Sequence, residues 1–153
     1  MGIEIERKYL LTTLPPLENG VRIIQGYLSF EPLVRVRLAG STGRLTMKFR
    51  AEGIARREYE YEIPASDAEE LFERCRGSLI EKVRYRLGRV ELDVFEGDND
   101  GLIVAEIELS DEHETVALPD WIGREVTGLK RYLNCELVKR PYKVWTRAER
   151  FDE

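Results

Sequence analysis

The sequence predicts an α+β protein built on eight antiparallel strands that curl into a barrel or a strongly curved sheet, with a charged face and flanking helices. Three observations lead there. Eight segments alternate strictly between apolar and polar residues and are joined mostly by short Gly-, Pro- or Asn-containing turns. On seven of them the polar face is almost wholly ionised, with the signs grouped strand by strand. The chain of 153 residues, 42% hydrophobic and 35% charged, is long enough to bury one core, so a single domain over 1–153 is expected, with 139–153 a C-terminal helical extension.

The first strand, Ile3 to Tyr9, places Glu4, Glu6 and Lys8 on one face. Carboxylates two residues apart on a strand lie roughly 7 Å from each other and repel unless a cation sits beside them. Residues 12–20 carry Pro15, Pro16, Asn19 and Gly20 and read as a connection. Val21 to Phe30 is the second strand, and Glu31-Pro32 turns the chain into Leu33–Leu38, with Arg35 and Arg37 opposite Val34, Val36 and Leu38. Gly40 to Gly43 is a hairpin loop leading into Arg44–Arg50, where Lys48 and Arg50 oppose Leu45, Met47 and Phe49.

The fifth strand, Arg56 to Ile63, carries Glu58, Glu60 and Glu62 on one face, and Pro64 ends it. Ser66 with Glu69 matches a capping box for a helix running to Cys75, whose apolar stripe is Ala68, Leu71, Phe72 and Cys75. Leu79–Leu87 puts Lys82, Arg84 and Arg86 together; Arg89–Phe95 does the same for Glu91 and Asp93, and Leu102–Leu109 for Glu106 and Glu108. Gly97 to Gly101 is rich in turn formers but lacks calcium-loop spacing. Beyond it the pattern predicts a short helix over 111–117, a turn at 119–121, and helices over Lys130–Val138 and Tyr142–Arg150. Their apolar residues, Tyr132, Leu133, Leu137, Val144, Trp145 and Phe151, are expected against the outside of the sheet.

Strands of one sign destabilise themselves unless the opposite sign or a ligand faces them. Closing the sheet satisfies this by aiming acidic strands at basic ones across a wet lumen, which in an eight-stranded barrel holds one small ligand. Cations there clamp phosphate oxygens and carboxylates hold hard divalent ions. A sandwich with its charges outward gives the same alternation, so periodicity leaves both open. The apolar outer face is left to the helices, or in part to a second subunit in a homodimer.

Composition removes several classes. A net charge of -5 argues against a surface that coats nucleic acid. No apolar run is long enough for a membrane span and the N-terminus has no signal-peptide core, so a cytoplasmic protein is expected. Cys75 and Cys135 form no metal motif and read as reduced, and His113 stands alone among acids.

The run Glu4-Ile5-Glu6-Arg7-Lys8 matches an ExExK signature, and the match continues in order through Gln25–Leu28, Arg35–Arg37, Thr46–Lys48, Arg56 with Glu58 and Glu60, Lys82 with Arg84-Tyr85, Leu92–Phe95, Ala105–Glu108, Glu125–Thr127, and Arg131-Tyr132 with Asn134. In these residues the chain resembles the CYTH family, also called triphosphate tunnel metalloenzymes. The resemblance implies an eight-stranded tunnel that binds a triphosphate with Mg²⁺ or Mn²⁺. The activity it implies is hydrolysis of inorganic tripolyphosphate; the alternatives are thiamine or nucleoside triphosphate hydrolysis, class IV adenylyl cyclisation, or a non-catalytic polyphosphate-binding module. It assigns Lys8, Arg35, Arg37, Lys48, Lys82 and Arg84 to phosphate, and Glu4, Glu6, Asp93, Glu106 and Glu108 to metal. Glu58, Glu60 and Glu62 form an acidic wall, and Glu4, Glu6, Lys8 and Lys82 are the catalytic set. No Ser, Cys or His is placed as a nucleophile, so attack by water without a covalent intermediate is expected.

Overall fold

The computed structural model describes residues 2–50 and 53–151. Nine strands follow in order: β1 Gly2–Leu11, β2 Val21–Phe30, β3 Leu33–Ala39, β4 Thr42–Arg50, β5 Ala55–Ile63, β6 Ile80–Leu87, β7 Val90–Phe95, β8 Ile103–Glu108 and β9 Ile122–Glu125. The sheet order is β5-β4-β3-β2-β6-β7-β8-β1-β9, and a further β5–β1 pairing closes its first eight strands into an antiparallel barrel. β1 is the seam. Gly2–Ile5 pairs with β5, while Glu6–Tyr9 pairs with β8. The short β9 continues along β1 past the end of β5, with a register shift between Tyr9 and Leu11.

Directly opposed residues of an antiparallel pair share a face. The registers Lys8↔Glu106, Glu6↔Glu108, Arg84↔Asp93, Tyr27↔Arg35, Gln25↔Arg37, Arg35↔Thr46 and Lys48↔Glu58 therefore gather the ionised rows of the different strands on one side of the sheet, the lumen. An outward-charged sandwich is excluded.

The lumen is not charged along its whole length. Ile80, Phe95 and Val104 continue the rows of Lys82, Asp93 and Glu106, and they pack with Leu102, Val126, Tyr132, Leu137, Tyr142 and Trp145 in one buried cluster. The C-terminal segment thus seals one end of the barrel. Here the sequence expectation of outside packing is overturned: Tyr132, Leu137 and Trp145 are 1%, 1% and 5% exposed within this inner cluster, whereas Val144 and Phe151 face solvent. The long C-terminal helices are also absent. The segment is cut into a 3-10 turn at Lys130–Tyr132, α2 at Asn134–Lys139, a second 3-10 turn at Tyr142–Val144 and α3 at Arg147–Phe151. Short pieces broken at Leu133 and Pro141 can wrap a curved barrel end where a straight helix cannot.

A second cluster, Tyr9, Val90, Ala105, Ile107 and Leu109, lies on the outer side and is covered by Val116, Trp121 and Ile122. The helix expected over 111–117 is an irregular strap instead. The Glu114 carboxylate accepts bonds from the Ser110 amide (2.6 Å), the Ser110 hydroxyl (2.8 Å) and Arg89 (2.7 Å), which fixes a loop rather than a helical turn.

α1, Ala65–Phe72, packs across the outer faces of β2, β3 and β4. It begins directly after Pro64, whose carbonyl accepts from Asp67 and Ala68, so the expected Ser66 capping box does not form. Gly43 lets the helix sit close: a Cβ there would lie 2.8 Å from the Ile63 carbonyl oxygen and 3.2 Å from Ala68 Cβ. Gly43→Ala is therefore expected to destabilise the fold by about 1–3 kcal/mol, the usual cost of overpacking. A urea midpoint equal to that of the unaltered protein would contradict this seat for α1.

Candidate active site

The open part of the lumen is a cavity of about 660 Å³. β1 contributes Glu4, Glu6 and Lys8; β3 contributes Arg35 and Arg37; and Lys48, Glu58, Glu60, Lys82, Arg84, Glu106 and Glu108 arrive from the other strands. Of the residues expected from sequence, only Asp93 and Glu62 do not line it. Glu62 is exposed, opposite Arg44 at the barrel's rim-ward register.

Asp93 lies behind the wall, its side chain 1% exposed. Its Oδ1 accepts from Arg84 Nε at 2.8 Å and its Oδ2 from Arg84 Nη2 at 2.9 Å, and Oδ2 also meets Lys82 Nζ at 2.8 Å. Burial alone would raise this carboxyl group, but Lys82 and Arg84 outweigh it and hold it well below the usual carboxylate range. Asp93 thus anchors two cations, which take three of its roughly four acceptor positions.

The cation rows are unevenly compensated. Arg84 also approaches Glu91 (3.3 Å) and Glu106 (3.7 Å). Burial pulls Lys82 down to about 7, against the attraction of Asp93 and with the repulsion of Arg84 and Arg37. Arg35 reaches Glu60 at 3.5 Å and Thr46 Oγ1 at 3.3 Å, yet its buried Nε has no hydrogen-bond partner. Arg37 donates from Nε to Gln25 Oε1 at 2.9 Å and has no carboxylate within ion-pair distance among the described residues. Burial, then Arg35 and Arg84, lower it to about 9. Buried guanidinium groups with a donor to spare make a site for an anion.

The acidic seam is built from β1 and β8. Glu4 bonds Lys48 at 2.7 Å; burial would raise it, but Lys48 and Arg35 keep it low. Burial would likewise raise Glu106, but Lys8, 3.7 Å away, and Arg84 bring it down to about 2. Glu6 is the exception. Burial, then Glu106, push it up to about 8, with Lys8 too distant at 4.0 Å to offset them. Glu108 stands directly across from Glu6. Among the described residues no three carboxylate, His or Cys side chains converge into a ready metal cage. The donors here are all hard oxygens, however, and Mg²⁺ commonly takes one or two carboxylates and completes its shell from substrate phosphates and water.

Four site groups lay outside the sequence expectation: Gln25, Tyr27, Thr46 and Asn134. The first three escape a search for ionised faces because they are uncharged, though Gln25, Tyr27 and Thr46 are 0%, 3% and 0% exposed. A buried run of polar residues alternating with apolar ones was the signal. Asn134 stands in the run that carries the family resemblance but gave no signal in the strand pattern, since it reaches the lumen only through the wrap of the C-terminal segment.

A closed barrel whose lumen carries opposed acidic and basic rows defines a triphosphate-tunnel type of protein, and the chain belongs to the CYTH-domain family, whose model matches residues 2–142. Among its relatives is an inorganic triphosphatase of Acetivibrio thermocellus, 49% identical over an alignment of 152 residues that covers 94% of this chain and 97% of that protein. An inorganic triphosphatase of Nitrosomonas europaea is 39% identical over 86% of this chain and 93% of its own length. The solved structure of the inorganic triphosphatase NE1496 superposes with a TM-score of 0.64 at 36% identity, covering 90% of this chain and 95% of that one.

Proposed function

We propose that this protein hydrolyses the terminal phosphoanhydride of inorganic tripolyphosphate with the help of Mg²⁺ or Mn²⁺. The observation that carries the reading is the pair of buried Arg35, with an orphaned Nε, and half-buried Arg37, with no carboxylate within ion-pair distance among the described residues, both lining the cavity. A polyanion is the ligand that offsets such a field. The two curated relatives, both inorganic triphosphatases, favour the same substrate.

Lys8, Arg35, Arg37, Lys48, Lys82 and Arg84 hold phosphate oxygens and stabilise charge on the transferred phosphoryl group. Glu6 and Glu108, with Glu4 and Glu106 beside them, are the residues that would hold a divalent cation, because on this seam Glu6 is the carboxyl group whose burial and neighbouring Glu106 outweigh the protein's own cations. Such an ion, when bound, neutralises phosphate charge and makes water more acidic. Asp93 acts by fixing Lys82 and Arg84. Glu58 and Glu60 form the far wall, where Glu60 meets Arg35 at 3.5 Å and Glu58 stands opposite Lys48 in register.

Phosphate release from tripolyphosphate should require Mg²⁺ or Mn²⁺ and exceed release from ATP and thiamine triphosphate, with no cyclic AMP from ATP. Tight tripolyphosphate binding without turnover in either metal would instead make this a binding module. Arg37→Ala is expected to raise KM about 10- to 100-fold, the scale of one hydrogen bond to a charged group. An unchanged KM would remove Arg37 from the phosphate site.

A further inference from the structure

Asn134, the first residue of α2, joins the C-terminal cap to the cation rows. Its Oδ1 accepts from Lys82 Nζ at 3.0 Å and from Gln25 Nε2 at 3.2 Å. Gln25 Oε1 in turn accepts from Arg37 Nε at 2.9 Å. The direction of this chain is dictated by chemistry. Lysine and arginine only donate, so each must be met by an amide oxygen, and the amide nitrogen of Gln25 is left to face Asn134 and the Tyr27 hydroxyl at 3.2 Å. Gln25 is 0% and Lys82 1% exposed, so these bonds are sheltered from bulk solvent.

Two directions around Lys82 Nζ are thereby fixed, one by Asp93 Oδ2 at 2.8 Å and one by Asn134. The nitrogen is tetrahedral, and its remaining position is aimed by those two. Lys82 comes from β6, Arg37 from β3 and Gln25 from β2, so a single acceptor on the cap sets the relative placement of groups on three strands.

We infer that Asn134 is a positioning residue, aiming Lys82 directly and Arg37 through Gln25, so that the segment sealing the barrel also completes the phosphate-handling site. This rests on the reading of the cavity as a triphosphatase site. Within that reading it gives the cap a catalytic consequence beyond packing.

The test compares Asn134→Leu, which removes the acceptor at similar volume, with Asn134→Asp, which keeps it. Both are made in the full chain and assayed for phosphate release from tripolyphosphate with Mg²⁺, alongside thermal unfolding and the side-chain ¹⁵Nζ and ¹³Cε resonances of Lys82 in the ligand-free protein. Asn134→Leu should lower kcat about 10- to 100-fold with KM moving less, since a lost bond to a charged group is of that size. Asn134→Asp should keep kcat within about threefold and raise KM, because an added negative charge repels the polyanion. The Lys82 resonances should move in Asn134→Leu, while those of Lys48 stay. A normal kcat in Asn134→Leu, or an equal loss of kcat in both variants, overturns the inference. Should Asn134→Leu fail to fold, retained or lost kcat in Asn134→Asp decides it. A wild-type protein that releases no phosphate from tripolyphosphate defeats the functional reading alone. The response of Lys82 to Asn134→Leu still decides the positioning role in that case.

Discussion

Asp93→Leu is expected to destabilise the protein by about 3–5 kcal/mol, the loss typical of breaking a buried ion pair from one side. The carboxylate is 1% exposed and is shared by Lys82 and Arg84, so its removal leaves two cations in the wall without their counter-charge. The dependence on pH follows from the direction of its shift. A carboxyl group held below its ordinary value in the folded state adds stability that is fully present above its unfolded pKa and is lost as pH falls through the folded one. Wild type and Asp93→Leu should therefore differ most above about pH 4, the unfolded value of an aspartate, and converge in strong acid. Urea unfolding at pH 7 and across the acid range measures both. A difference under about 1 kcal/mol at pH 7 would mean that the lumen solvates those cations without Asp93.

Glu6→Gln should lower metal-stimulated phosphate release about 100-fold or more, the scale on which losing one group that stabilises transition-state charge is felt. Its effect on stability has the opposite sign to that of Asp93→Leu. Burial and Glu106 raise Glu6 to about 8, so the metal-free protein loses stability as pH rises from the unfolded value, about 4.3, toward 8. The glutamine variant escapes that loss. At pH 8 without metal it should unfold at a higher temperature than wild type, and added Mg²⁺ should raise the unfolding temperature of wild type but not of the variant. Near-normal turnover of Glu6→Gln at saturating Mg²⁺ would remove Glu6 from the metal site.

These two carboxylates show how far the strand pattern carries. Both sit at lumen positions by simple alternation, and the strand pattern does not separate Asp93 from Glu6. The structure separates them because Arg84 and Lys82 come from the neighbouring strand at a register that closes on Asp93. Glu6 instead faces Glu108 across the barrel seam. No helix among the described residues is long and apolar enough to cross a membrane.

The alternation of the strands, the turns between them and the sorting of charge by strand were written in the sequence, because each depends on residues a few positions apart. The lumen was legible only as one of two readings, since a sandwich with its charges outward gives the same alternation. Three things were decided only by the tertiary structure: which carboxylates are neutralised by the protein's own cations, that the C-terminal segment seals the barrel from within its apolar end, and that Asn134 meets Lys82 across 52 residues of chain. Each depends on register and closure, which bring together side chains whose separation along the chain carries no local signal.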